Sequence, residues 1–261
     1  MNLAVIGHPI AHSLSPQLHE QWLRASGLFG RYEAIDAMET DLPRLFEAMR
    51  EGEWDGFNVT IPYKEAVVRY VDELDEAAKM AGAVNTVYKR DGRLVGTNTD
   101  GAGLVQALMP FTDWSGNVLV IGAGGAARGI VQVLPTRQVS IVNRTVERAK
   151  ELANTFGVTY TTFDEVDISR YDVIIQTTSV GMDERSTPLS LEGLRQNTVV
   201  CDIIYRPLVT PMLQEAKRRG ARIVTGVAMF VGQGALSFEK WTGVKPDETI
   251  GKKLIEGLLE E

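Results

Sequence analysis

The stretch Asn117 to Arg148 does most to restrict what this chain can become. An apolar run, Val118 to Ile121, reads as a buried parallel strand. Gly122, Gly124 and Ala127 follow with G-x-G-x-x-A spacing, and Gly125 adds a further glycine. The first glycine permits a tight turn, the second lets backbone approach a pyrophosphate, and the small third residue lets helix press on strand. Free N–H groups at the start of that helix, around Ala123 to Ala126, then face an anion. A second apolar run, Val139 to Val142, completes a βαβ unit.

The end of that second run selects the nucleotide. A site for NAD should carry Asp or Glu there, to bond the ribose 2′-hydroxyl. This chain has Asn143 and then Arg144, with Arg148 one helical turn on and on the same face. A missing anion and two guanidinium forks suit a 2′-phosphate, so the expected cofactor is NADP (NADPH). Thr145, Val146 and Glu147 complete this segment, with Thr145 as a plain helix N-cap on the simpler reading.

The 261 residues allow one large or two modest domains. A net charge of -7 argues against nucleic acid or an anionic membrane as the main partner. Cys201, the only cysteine, excludes an internal disulfide and any multi-cysteine metal site. No secretory signal or membrane-length apolar run is read, and the expected location is cytoplasmic. His8 and His12 have a metal-like spacing that Pro9 spoils, so no metal is expected.

Ahead of the dinucleotide unit, strands are expected at Leu3–Ile6, Arg31–Ala37 and Asp55–Thr60, with helices from Ser15 and over 42–50. Ser15 reads as an N-cap before Pro16, and Ser13 and Ser15 could together meet a carboxylate. Lys64 falls just after Pro62, near a helix start where a cation is disfavoured. That placement fits a lysine that reaches a ligand, against a bland pairing with Glu65 or Glu76. Residues 83–96 read as a hairpin turning at Asp91-Gly92, and Asp100 as an N-cap for the next helix. Alternating units suggest a mainly parallel sheet for this segment. After Arg148, strands are expected at Thr159–Thr161, Val173–Gln176, Val199–Ile203 and Arg222–Thr225. The glycines at 226, 232 and 234 suggest close backbone approach to a ligand or another helix.

Taken together these pieces resemble the shikimate/quinate dehydrogenase family, NADP-linked enzymes of the route to chorismate and the aromatic amino acids. Gly7-His8-Pro9-Ile10 with His12 to Pro16, Phe57 to Lys64, Gly82 to Thr86, Asn98 to Gly101, Gly122 to Ala126 and Asn143 to Arg148 carry the likeness in order. The resemblance implies an α/β fold: an N-terminal substrate domain, 1–103, completed by helices returning from 228–261, and a doubly wound Rossmann-type domain, 104–227. It implies Lys64 and Asp100 as catalytic residues. Ser13, Ser15 and Tyr205 would hold the substrate carboxylate, and Thr60, Lys64, Asn85, Asp100 and Gln233 the ring hydroxyls. Gly122, Ala123, Gly124, Gly125, Ala126 and Asn143 to Arg148 would bind the cofactor, with Ile203 and Gly226 beside the nicotinamide and Glu76 a further matched position. The implied reaction is reversible NADPH-linked reduction of 3-dehydroshikimate to shikimate, and a homodimer is a family-level expectation.

One segment departs from the pattern: Gln176-Thr177-Thr178 stands where Asn-Ala-Thr is expected. Alternatives stay open at this point. They are a quinate/shikimate dehydrogenase with relaxed cofactor use, a folate-linked dehydrogenase of similar form, and a ligand-binding regulator that keeps the cleft without turnover.

Overall fold

A computed structural model describes residues 1–260. The chain divides into two compact units, Met1–Asp100 with Val231–Ile255, and Gly101–Phe230 with the residues from Glu256.

The first unit opens with β1 (Asn2–Gly7), α1 (Ser15–Ala25), β2 (Arg31–Asp36), α2 (Leu42–Glu51) and β3 (Gly56–Val59). β4 (Glu73–Leu74), α3 (Glu76–Ala81) and the hairpin of β5 (Thr86–Arg90) and β6 (Arg93–Thr97) follow. Asp91 and Gly92 both take positive φ, 53° and 77°, the geometry a two-residue hairpin demands. The strands form one sheet in the order β2-β1-β3-β5-β6-β4. β1/β2, β1/β3 and β4/β6 pair in parallel, and β3/β5 and β5/β6 are antiparallel, so β5 alone runs against the other five strands. The sheet is therefore mixed by one strand and otherwise parallel, in keeping with the mainly parallel sheet expected. The hairpin inserts one reversed strand, β5, and its return strand β6 runs with the rest of the sheet.

Helical spacing on α2 buries Leu42, Phe46 and Met49 against Phe57, Val59 and Val87. Each fully enclosed side chain of this kind contributes roughly 1.5–3 kcal/mol. Within the same unit, the residues from Val231 onward return to α1. Gly234 and Gly251 present bare Cα faces to Leu18 and Trp22, and the Trp22 indole donates to the Asp247 carbonyl at 2.9 Å. Trp241 lies so close to Gly56 that a methyl there would overlap its ring, while its indole donates to the Val87 carbonyl.

The second unit takes α4 (Asp100–Leu108) from its second residue. It continues with β7 (Val118–Ile121), α5 (Gly125–Val133), β8 (Val139–Val142), α6 (Val146–Phe156) and β9 (Thr159–Thr161). β10 (Val173–Gln176), β11 (Val199–Asp202), α7 (Pro211–Arg218) and β12 (Arg222–Val224) complete its sheet. All pairings are parallel, in the order β12-β11-β10-β7-β8-β9. The chain winds outward from β7 through β8 to β9, then restarts at β10 on the other side of β7. Side-by-side carboxyl ends of β7 and β10 therefore mark a topological switch point, where doubly wound sheets bind ligands. β7, β10 and β11 are buried throughout, which explains their apolar sequence up to the polar last residues Gln176 and Asp202. α8 (Gly226–Thr242) carries the boundary between units after Phe230, and α9 (Glu248–Glu260) ends the fold. No helix among the described residues is long and apolar enough to cross a membrane.

Candidate active site

In the first unit, chemistry collects at the end of β6 and the turn after β3. β3 ends at Val59, and the chain turns through Thr60 and a cis Ile61–Pro62 bond before a short 3₁₀ segment, Ala66–Tyr70. Lys64 lies in that turn. Its carbonyl accepts the Val84 N–H at 2.7 Å, which ties the turn to the start of the hairpin. Its Nζ reaches Asp100 Oδ2 at 2.6 Å and pairs with neither Glu65 nor Glu76. Asp100 is the first residue of α4, not its cap. The Asn98 side chain takes the Asp100 N–H at 3.1 Å, so the Asp100 carboxylate is left for Lys64.

Asn85 completes the cluster. It is 2% exposed, and its Nδ2 donates to Asp100 Oδ1 at 2.8 Å and to Thr99 Oγ1 at 2.9 Å. Gln233 Oε1 lies 3.4 Å from the same nitrogen. Both Asp100 oxygens thus have donors, one cationic and one neutral, and the anion is held where Lys64 can use it.

Ser13 and Ser15 lie in the loop from β1 into α1. Ser15 is the first helical residue, and the cap position belongs to Leu14 without a side-chain bond. The expected Ser15 cap is therefore absent; instead Ser13 Oγ accepts the Ser15 N–H at 3.3 Å. Thr60 follows the carboxyl end of β3, so both serines and Thr60 sit at strand ends of the one sheet. No side-chain hydrogen bond among the described residues links these three to Lys64 or Asp100. Glu76 opens α3 behind Asp75, whose carboxylate caps the helix by accepting the Ala78 N–H.

His8 does not approach a metal set: its Nδ1 meets Asp36 Oδ1 at 2.7 Å. No group of three or more potential ligands among the described residues is arranged to hold a metal ion.

In the second unit, Gly122 takes φ +114°, open to glycine and strained for other residues. A side chain there would also overlap Thr177 Oγ1, which donates to the Ile121 carbonyl at 2.7 Å. Gly124 and Gly125 face open space, and no side chain caps the first turn of α5. Ala123 and Ala126 are half-buried beside them, while Ala127 is fully enclosed where helix meets strand. An open turn of bare N–H groups at the switch point fits a dinucleotide pyrophosphate.

The end of β8 fits the other half of NADP. Asn143 Nδ2 donates to the Thr145 carbonyl at 2.9 Å and so shapes the turn. Thr145 stands at the cap position of α6 but makes no side-chain cap bond there, so simple capping does not occupy it. Arg144 and Arg148 are exposed and form no ion pair among the described residues. Val146 and Glu147 begin α6, with Glu147 a favourable anion at the helix start.

Gln176, where the sequence departs from the family pattern, is fully buried. Its Nε2 donates to the carbonyls of Thr178 and Val180 at 3.1 and 2.9 Å, so it pins the loop beyond β10. On the neighbouring strand, burial pushes Asp202 up to about 6, opposed by donation from the Ile204 N–H and the Thr210 hydroxyl. These two bonds shape the turn that carries Ile203 and Tyr205. Tyr205 packs its ring, tilted, against Phe230 with centroids 5.0 Å apart, and burial raises its phenol. The bare Cα of Gly226 lies against the backbone of Ile203 and Ile204, which requires glycine there. Cys201 is inert: burial raises its thiol far above the usual range.

Sequence reasoning passed over Asn58, Thr86, Thr99 and Ser237, all buried. A signal existed: Asn58 and Thr86 interrupt strands of apolar character, and Ser237 lies one helical turn from Gln233.

A parallel doubly wound sheet with an open glycine turn, and a lysine–aspartate pair beside a buried amide, define an NADP-dependent oxidoreductase. The chain belongs to the shikimate dehydrogenase family. Residues 5–87 match the model of the shikimate dehydrogenase substrate binding domain, 106–202 that of shikimate / quinate 5-dehydrogenase, and 226–256 that of the shikimate 5′-dehydrogenase C-terminal domain. A shikimate dehydrogenase (NADP(+)) of an Exiguobacterium species, strain AT1b, is 89% identical over 261 residues, the full length of both chains. That of Exiguobacterium sibiricum is 48% identical, again over 100% of each. The crystal structure of shikimate 5-dehydrogenase from Thermus thermophilus, in complex with NADP(H) and shikimate, superposes with a TM-score of 0.92. It is 38% identical and covers 98% of this chain and 99% of its own.

Proposed function

We propose that this chain interconverts 3-dehydroshikimate and shikimate, using NADPH for reduction and NADP for oxidation. The observation that carries this reading is the Lys64–Asp100 contact of 2.6 Å with Asn85 on the second carboxylate oxygen. NADPH, when bound, supplies the hydride. Gly122 to Ala126 would hold its pyrophosphate, and Asn143 to Arg148 would hold the ribose phosphate through Arg144 and Arg148. Ile203 and Gly226 would flank the nicotinamide.

Hydride addition turns a ring carbonyl into an alkoxide, and that oxygen needs a proton. Lys64 Nζ delivers it in reduction and takes it back in oxidation. Asp100 fixes Nζ and accepts a bond from the substrate hydroxyl beside it. Asn85, Thr60 and Gln233 read the other hydroxyls. Ser13, Ser15 and Tyr205 take the carboxylate, and Glu76 serves the cofactor side. In this reading the first unit is the substrate domain and the second the cofactor domain, in a cytoplasmic homodimer. Sedimentation at working concentration tests the dimer.

The deciding assay follows cofactor absorbance with shikimate and NADP. Shikimate-dependent reduction of NADP supports the reading. A protein that binds shikimate without turnover would instead be a ligand-binding regulator.

A further inference from the structure

Beneath the Lys64–Asp100 pair, the first unit buries a run of uncharged polar side chains whose hydrogen bonds point one way. Two backbone groups set the direction. The Thr99 N–H donates to Asn85 Oδ1 at 2.9 Å, so the Asn85 amide must turn its NH2 group toward Asp100. Asn58 Nδ2 donates to the Asn85 carbonyl at 3.1 Å, so Asn58 Oδ1 is the acceptor for the Tyr32 hydroxyl at 2.7 Å. The same Asn58 amide donates to Ser237 Oγ at 3.1 Å and, in a longer branch, to Thr86 Oγ1 at 3.2 Å.

Ser237 has one proton and two good acceptors, Thr86 Oγ1 at 2.7 Å and the Gln233 carbonyl at 2.9 Å. The Thr99 hydroxyl also donates to that carbonyl, at 3.0 Å, and because the Thr86 proton is directed to Asn85 Oδ1, the 2.7 Å contact takes Ser237 as its donor. Thr86 then donates to Asn85 Oδ1 at 2.9 Å. The donors run Tyr32, Asn58, Ser237, Thr86, Asn85 and end on the Asp100 carboxylate, where Lys64 donates from the other side. Aligned hydrogen bonds in a low-dielectric interior polarise one another.

We propose that Ser237 and Thr86 are positioning residues for the reaction: their coupled hydroxyls polarise Asn85 toward Asp100 and hold its carboxylate in register with Lys64. Both are fully buried, so neither meets solvent. The proposal rests on the reading that Lys64 and Asp100 carry the proton transfer.

Ser237→Ala, Thr86→Val, Thr86→Ser and the Ser237→Ala/Thr86→Val double variant are assayed in the full-length enzyme with shikimate and NADP, beside Lys64→Ala. Breaking the run at either point is expected to lower kcat roughly tenfold, with the KM for NADP unchanged. The double variant should be no slower than the slower single one, since both break the same run. Thr86→Ser, which keeps the hydroxyl, should restore most of kcat. A purely structural role would lower thermal stability and leave kcat per folded molecule intact, and that result overturns the proposal. So do losses that multiply in the double variant. If Ser237→Ala does not fold, equal kcat for Thr86→Val and Thr86→Ser overturns it alone. An unchanged kcat in Lys64→Ala would instead defeat the underlying assignment of the proton donor.

Discussion

Lys64 and Asp100 meet at 2.6 Å although 36 positions separate them, with 30% and 12% of their side chains exposed. A pair so placed is partly open to a ligand and largely shielded from solvent. Lys64→Ala should therefore lower kcat by about 10²–10⁴-fold, the usual worth of a general acid. The KM for shikimate should stay within about threefold, because Ser13, Ser15, Asn85 and Gln233 are untouched. Steady-state kinetics in the oxidative direction checks both numbers.

Arg144 and Arg148 form no ion pair among the described residues at the end of β8, with Asn143 in place of an acid. Arg144→Ala should weaken NADPH binding by roughly 10–100-fold, the loss expected for a charge-assisted bond, and leave NADH nearly unaffected. Equal losses for the two cofactors, measured by fluorescence titration, would remove Arg144 from phosphate recognition.

His19 is stacked on Tyr32 at 4.4 Å, and neither ring nitrogen has a partner. Burial depresses its pKa from 6.5 to about 3. Its folded pKa lies below its unfolded value, so the unfolded chain takes up the proton first as pH falls. Stability from this group is intact above about pH 6.5 and declines toward pH 3, by about 2 kcal/mol between pH 7 and 5. His19→Phe should flatten that part of the stability profile in urea titrations. A wild-type and variant profile of equal slope would contradict the neutral buried imidazole.

Gly56 faces the Trp241 ring with no room for a methyl. Gly56→Ala should destabilise the first unit by about 1–3 kcal/mol through overpacking. Because Trp241 bonds the Val87 carbonyl, the strain falls on the strand that follows Asn85 by two residues. Thermal unfolding measures the loss.

The Rossmann-type half was readable because its rules are local: an apolar run, a glycine turn and a helix occur within about fifteen residues. The pairing of Lys64 was not readable from its neighbours. Glu65 and Glu76 were near in sequence, but the partner came from the end of β6, brought over by sheet pairing rather than helix periodicity. A hairpin signal fixes two strands without saying what lies beside them, so the placing of β5 against β3 and of β6 against β4 was not legible. Ser15 looked like a cap because Pro16 follows it, yet the cap position is Leu14 and the serine N–H goes to Ser13. The polar run through Asn58, Thr86 and Ser237 depends on residues up to 179 positions apart, which no spacing rule reaches. Roles assigned to Thr60 and Tyr205 came from family likeness, since nothing in their local chemistry distinguishes them from ordinary loop residues.

The first unit borrows Val231–Ile255 from the far end of the chain. During synthesis, everything up to Asp100 leaves the ribosome long before those residues exist. Until then Trp22 lacks the Asp247 carbonyl, Asn58 lacks Ser237 and the Thr99 hydroxyl lacks the Gln233 carbonyl. A nascent chain therefore has no finished site with which to engage a metabolite, and a molecule clipped before residue 231 should be inert even with its lysine and aspartate intact.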